Sequence, residues 1–189
     1  MAVSNPATLL SVKSEFGGSG ALSSYVGAAP GISGSLPISL SSFAGVSASI
    51  NIGMYLEEYD IYANSEYDDG RLMASFYGFV SGGIGFGGTF GSISPTTFAY
   101  AGGATIAEIS GYSGYDSNFS SITFSLVGAN YPNSGWSAMI IPGYGTLTRA
   151  SATYYANNGA SDTSWTWYVG GAYYNPFRNG GYNTITFTP

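Results

Sequence analysis

Residues 1–46 constrain this chain more than any other stretch. They read MAVSNPATLLSVKSEFGGSGALSSYVGAAPGISGSLPISLSSFAGV, about half Gly, Ser and Ala, with single large apolar residues spaced along them. Such a segment offers too little apolar surface to offset the entropy of ordering its backbone. Its order is therefore expected to come from a partner whose surface receives the isolated apolar side chains. Residues 1–47 are read as an extended docking arm and residues 48–189 as a β domain. One ordinary domain plus an extension fits the 189 residues.

Local signals within the arm are specific enough to place elements. Asn5 is a candidate helix cap, Pro6 suits the first helical position, Leu9, Leu10 and Val12 give an apolar side, and Gly17-Gly18 is a stop. Two related pieces come next, LSSYVG at 22–27 and LSSFAG at 40–45. Each is read as a single-turn anchor whose leucine and aromatic insert into a neighbouring surface. Pro30 and Pro37 favour an extended connection between them. The predicted contact residues are Phe16, Leu22, Tyr25, Ile38, Leu40 and Phe43.

From Ala48 the pattern turns to period two. Strands are predicted over 49–55 (Ile50, Ile52 and Met54 inward), 72–80, 105–109 (Ile106 and Ile109 inward), 136–141, 146–155, 163–169 and 183–188. The clearest is Ile122-Thr123-Phe124-Ser125-Leu126, read as half-buried. Trp165, Trp167 and Val169 share a face of one strand, as do Ile185 and Phe187 of another. Turn signals such as YPNSG, NNGASD and NPFRNGG fill most gaps. Short strands so punctuated predict an all-β fold, an antiparallel, jelly-roll-like β-sandwich.

Charge narrows the function classes. Charged residues are 7 % of the chain, against about 25 % in a typical soluble domain. The net charge is −6 and the cations are Lys13, Arg71, Arg149 and Arg178. Nucleic acid and anionic membranes both require clustered cations, so neither is an expected partner. No cysteine is present for disulfides or thiolate metal sites. No apolar run approaches transmembrane length, and the N-terminus lacks the pattern of a secretory signal.

The chemistry-bearing residues are few. Histidine is absent, which removes the commonest general base and the commonest metal ligand. The string GIGFGG at 83–88 comes near a phosphate-cradling pattern. The residues after it, Thr89-Phe90-Gly91, do not read as a helix, so a β connection is expected there. Glu57, Glu58 and Asp60, with Glu66, Asp68 and Asp69, are read as solvated acidic loop residues. Glu66, Asp68 and Asp69 are also weak Ca²⁺ candidates, without the order of an EF-hand loop. Glycoside hydrolysis requires two apposed acids, for which Glu108, Asp116 and Asp162 are the candidates without a local signature. The expectation is a non-enzymatic protein with no cofactor and no catalytic residue. Trp165 and Trp167 are assigned to the core. Tyr112, Tyr115, Tyr173 and Tyr174 lie in turn-rich strings and are the candidate receptor contacts.

The arm resembles the N-terminal segment of tailed-bacteriophage virion proteins. There an EFGG element precedes a short Leu-Ser-x-aromatic element and a later ISLSxFxG box. Here these stand as Glu15-Phe16-Gly17-Gly18, Leu22-Ser23-Ser24-Tyr25 and Ile38-Ser39-Leu40-Ser41-Ser42-Phe43-Ala44-Gly45. GSISP at 91–95, TRASATYY at 148–155, TSWTW at 163–167 and NPF at 175–177 look like strings of phage tail and fibre β domains. The resemblance implies a fibre-, tail- or neck-associated structural component of the virion, made in the host cytoplasm. Its implied partners are other virion proteins and further copies of itself, as a homo-oligomer. The alternatives are a host-receptor or carbohydrate-binding adhesin that meets a host surface glycan, and a head decoration protein.

Overall fold

The computed structural model describes residues 3, 7–16, 21–25, 28, 32, 34–43, 49–62, 72–81, 89–114, 120–158, 161–170, 175–177 and 181–189, the side chains of 59–62 and 72–74 excepted. The chain divides into two compact units, Met1–Ile50 with Thr188–Pro189, and Asn51–Phe187.

The larger unit is an antiparallel β-sandwich. Its strands are β1 (Ile50–Tyr55), β2 (Glu57–Tyr62), β3 (Leu72–Val80), β4 (Ser92–Ser94), β5 (Thr97–Phe98), β6 (Ala104–Gly114), β7 (Ser120–Val127), β8 (Ala138–Ile141), β9 (Gly145–Thr148), β10 (Thr153–Tyr155), β11 (Asp162–Tyr168) and β12 (Tyr182–Thr188). The five-stranded sheet has the order β4-β1-β12-β8-β9. The seven-stranded sheet has the order β10-β11-β7-β6-β3-β2, with β5 pairing β6 beside that path. The first strand and the last are therefore neighbours, and β1 is flanked on both sides.

The core lies where the sheets face each other. Ile122, Phe124 and Leu126 of β7 and Ile185 and Phe187 of β12 are fully buried, as their alternation predicts. Phe124 meets Phe187 of the other sheet at 4.7 Å between ring centroids, and Phe98 meets both at 4.8 Å. Trp165 stacks on Phe124 at 5.5 Å, and Trp136 packs edge-on against Trp165 and Phe187. Trp165 and Trp167 are core residues, as expected; Val169 is half-buried beyond the end of β11. Ile52 and Met54 are buried, with Ile50 half-buried.

Three expectations are corrected. Residues 146–155 do not form one strand: β9 ends at Thr148, a 3-10 turn spans Arg149–Ser151, and β10 continues in the opposite sheet. Arg149 ties this corner, donating through Nε to the Trp136 carbonyl at 2.5 Å and through Nη1 to the carbonyl and side-chain oxygens of Asn133. Asn133 Oδ1 also accepts the Trp165 indole N–H at 2.8 Å, and the Thr148 carbonyl accepts that of Trp167 at 2.8 Å. The indole donors of Trp165 and Trp167 are thus satisfied by the residues that turn the chain between sheets, whereas the buried Trp136 indole N–H has no hydrogen-bond partner among the described residues.

Next, the acidic run at 57–60 is not a loop. It lies in β2, the edge strand of the seven-stranded sheet, where Glu57 and Glu58 are exposed and Glu57 Oε2 accepts the Gly91 N–H at 3.0 Å. Carboxylates on an edge discourage pairing with another chain. Lastly, β7 is not half-buried: Ser121 and Ser125 on its other face are buried as well. Their cross-strand neighbours on that face are Tyr112 and Tyr168 for Ser121, and Glu108 and Ser164 for Ser125.

The smaller unit holds helix α1 (Leu9–Phe16) and two 3-10 turns, Leu22–Tyr25 and Leu40–Phe43. Thr8 caps the helix. Its Oγ1 accepts the Ser11 N–H at 3.1 Å, while Ser11 Oγ accepts the Thr8 N–H at 3.0 Å. This reciprocal pair satisfies donors at the helix start and sets the first turn at Leu9. The cap expected at Asn5, with Pro6, lies outside the described residues.

Candidate functional site

The smaller unit carries the residues expected to meet a partner. Each LSS-aromatic piece does form a single 3-10 turn, with Ser24 N–H bonded to Ala21 O at 2.9 Å and Ser42 N–H to Ser39 O at 3.1 Å. The aromatic of each turn is buried, but in a cluster of this same unit. Tyr25 and Phe43 meet edge-to-face at 6.0 Å, and Phe16 meets Phe43 at 5.8 Å. Val3, Val12 and Ile32 complete the buried set, with Leu22, Ile38 and Leu40 packed against it.

The expectation that this stretch has no core of its own is therefore corrected. Phe16, Leu22, Tyr25, Ile38, Leu40 and Phe43 are separated along the chain but converge on one point. The small residues between them allow close approach, and each buried aromatic contributes about 2–3 kcal/mol. What faces outward is a different set: Leu10 is 77 % exposed, Leu36 61 % and Leu9 40 %. Helix spacing around the buried Val12 carries the signal for Leu10, two positions away and so turned off that face; Leu9, three positions away on the side of Val12, is the less exposed of the two.

The second candidate is the face of the seven-stranded sheet opposite the core. Ile106 pairs with Leu126, but Glu108 pairs with Ser125, because a bulge absorbs Ala107. The extra residue leaves Ile106 and Ile109 both on the core face and turns Glu108 to the other one. There Glu108, Ser125 and Ser164 form one row across β6, β7 and β11, with Asp162 one two-residue step along β11 from Ser164. All four are buried. The Ser110 hydroxyl donates to Glu108 Oε1, while the hydroxyls of Ser125 and Ser164 have no hydrogen-bond partner among the described residues.

Burial dominates the electrostatics of this row. Desolvation pushes the Glu108 carboxyl from 4.5 up to about 7; the Ser110 bond offsets part of that and the nearby Asp162 charge adds to it. Desolvation also raises Asp162, against a backbone hydrogen bond from Gly128. The row can hold a proton near neutral pH. The acids sit two strands apart, with Cα atoms about 12 Å from each other by sheet geometry. Both residues are buried. Asp116, the third candidate acid, lies outside the described residues, as do Glu66, Asp68 and Asp69 of the proposed Ca²⁺ loop and residues 83–88 of the glycine string. Among the described residues no cluster of three metal-ligating side chains occurs, and no helix is long and apolar enough to cross a membrane.

Of the four candidate receptor tyrosines, Tyr112 lies in strand β6 instead of a turn. It is half-buried, with its ring 4.9 Å from that of Phe76. The strand continues to Gly114 because β3 and β7 pair with it along this whole stretch. Tyr115, Tyr173 and Tyr174 lie outside the described residues. Among the described side chains, the exposed tyrosines of the seven-stranded sheet are others, Tyr155 of β10 and Tyr168 of β11, at 38 % and 53 %. Parity held the signal for Tyr168: with Trp165 and Trp167 inward, it must face away. Comparison with family models, with curated proteins and with solved structures finds no match to this chain.

Proposed function

We propose that this chain is a non-enzymatic structural component of a tailed-bacteriophage particle, associated with its tail, neck or fibres. The smaller unit attaches it and the β-sandwich is displayed. The observation that carries the reading is the division of labour inside residues 1–50. An aromatic cluster holds that unit together, while Leu9, Leu10 and Leu36 remain outside it. A core this small is marginal by itself, since domains much below about 60 residues bury too little surface to stand alone comfortably. Covering the exposed leucines with a neighbouring particle protein, or with another copy of this chain, completes it.

Attachment therefore runs through the outward leucines, with the buried aromatics shaping the unit that presents them. The resemblance of the EFGG, LSxY and ISLSxF strings to virion proteins supports the particle assignment. The low charge suits a surface made polar by hydroxyls and amides.

The test uses the full chain with Leu10→Glu and Leu36→Glu together. The expected result is a protein with unchanged circular dichroism and thermal midpoint that no longer enters particles in which it is the sole source of this chain. Incorporation at the wild-type level overturns the attachment role.

A further inference from the structure

We propose that Tyr155 and Tyr168 form a stacking platform for a neutral glycan on the non-core face of the seven-stranded sheet. Tyr155 pairs in register with Ser164, and Tyr168 lies four residues further along the same strand face. Their hydroxyls meet at 3.2 Å, so the side chains lean toward each other across the Thr153–Thr166 pair between them. Thr166 Oγ1 in turn lies 3.3 Å from Thr123 Oγ1 on β7. The result is two exposed rings joined through their hydroxyls, with further hydroxyls beside them.

This chemistry fits a sugar. The C–H face of a pyranose packs on an aromatic ring, and its hydroxyls need neutral donors and acceptors at the edge, which the tyrosine and threonine hydroxyls supply. Tyrosine presents that area at low entropic cost, having only two side-chain torsions. The patch does not fit a protein partner. At 38 % and 53 % exposure the two rings offer roughly 200 Å² in total, against about 800 Å² per partner in a standard protein interface. The facing groups are uncharged hydroxyls, so an anionic glycan gains nothing here. The platform deepens the display half of the proposed function, and the leucine variants test attachment independently of it.

The experiment is saturation-transfer NMR and isothermal titration of the full chain with maltohexaose, cellohexaose and hexa-N-acetylchitohexaose. At least one is expected to bind. Tyr155→Ala and Tyr168→Ala should each weaken it by about tenfold, the loss of one stacked ring. Tyr182→Ala, removing a 69 % exposed tyrosine of the other sheet, should leave it unchanged. In the wild-type protein the ring resonances of Tyr155 and Tyr168 should shift on titration, a readout that does not depend on a variant folding. If none of the three sugars binds, or if binding survives both alanine variants with these resonances unmoved, the platform is wrong.

Discussion

Replacing Glu108 by glutamine tests the energetics of the buried row directly. In the folded chain its carboxyl keeps a proton up to about 7, whereas its ordinary value is 4.5. Between these values the folded state binds more protons than the unfolded state, so stability falls as pH rises. The difference of about 2.5 units, at 1.36 kcal/mol each, gives roughly 3 kcal/mol lost between pH 4.5 and somewhat above 7. Below pH 4.5 the carboxyl is neutral in both states and costs nothing. Glutamine has nearly the same shape, still accepts the Ser110 hydroxyl, and brings N–H donors to the row that holds the unpartnered Ser125 oxygen. Asp162 shifts in the same direction and remains in both proteins, so the comparison differs at Asp162 only by its charge interaction with Glu108, the smallest of the causes acting on that carboxyl. Urea unfolding followed by tryptophan fluorescence suits the assay, because Trp136, Trp165 and Trp167 are all buried. From pH 5 to pH 8 the wild type should lose about 2 kcal/mol or slightly more relative to Glu108→Gln, the rest having gone below pH 5. Parallel stability curves for the two proteins would refute the argument that burial sets this carboxyl.

Two further substitutions probe the same packing. Ser164→Ala removes a buried hydroxyl that has no partner among the described residues; it should stabilise by about 1 kcal/mol and raise the thermal midpoint by roughly 2–4 °C, whereas a fall in calorimetry would mean that the hydroxyl is satisfied. A Cβ at Gly111 would lie 2.6 Å from Pro176 Cδ, so Gly111→Ala should destabilise by about 1–3 kcal/mol in denaturant unfolding. Combined with Pro176→Ala it should cost less than the sum of the single changes, and strict additivity would show that the two residues do not touch.

Much of the sandwich was legible from period-two alternation. Ile122, Phe124 and Leu126, Trp165 and Trp167, and Ile185 and Phe187 are inward because a half-apolar strand has one way to bury its face. The misreadings have specific causes. Residues 146–155 change sheets at Arg149–Ser151, a break without Gly or Pro, whose determinant is the distant Asn133. Glu57 and Glu58 suggested a solvated loop because charge and edge position leave the same mark on a sequence. In an unbroken strand Ile106 and Ile109 cannot share a face, and the bulge at Ala107 that reconciles them has no local signal. The aromatic cluster of residues 1–50 was hidden because its members are far apart in a polar, small-residue background. Tyr155 and Tyr168 come together only through the register of β10 on β11.

The place of β1 has a mechanical meaning. It is the first strand of the sandwich, and β4 and β12 hold it from either side. If the preceding residues are the point of attachment, any tug on the displayed domain enters the sandwich at Ile50, runs along β1 beside β12, and is shared with β4 over Gly53–Tyr55. A tether tied to an outermost strand would peel it away one bond after another, whereas tearing along β1 must pass Gly53–Tyr55, where a second ladder resists it.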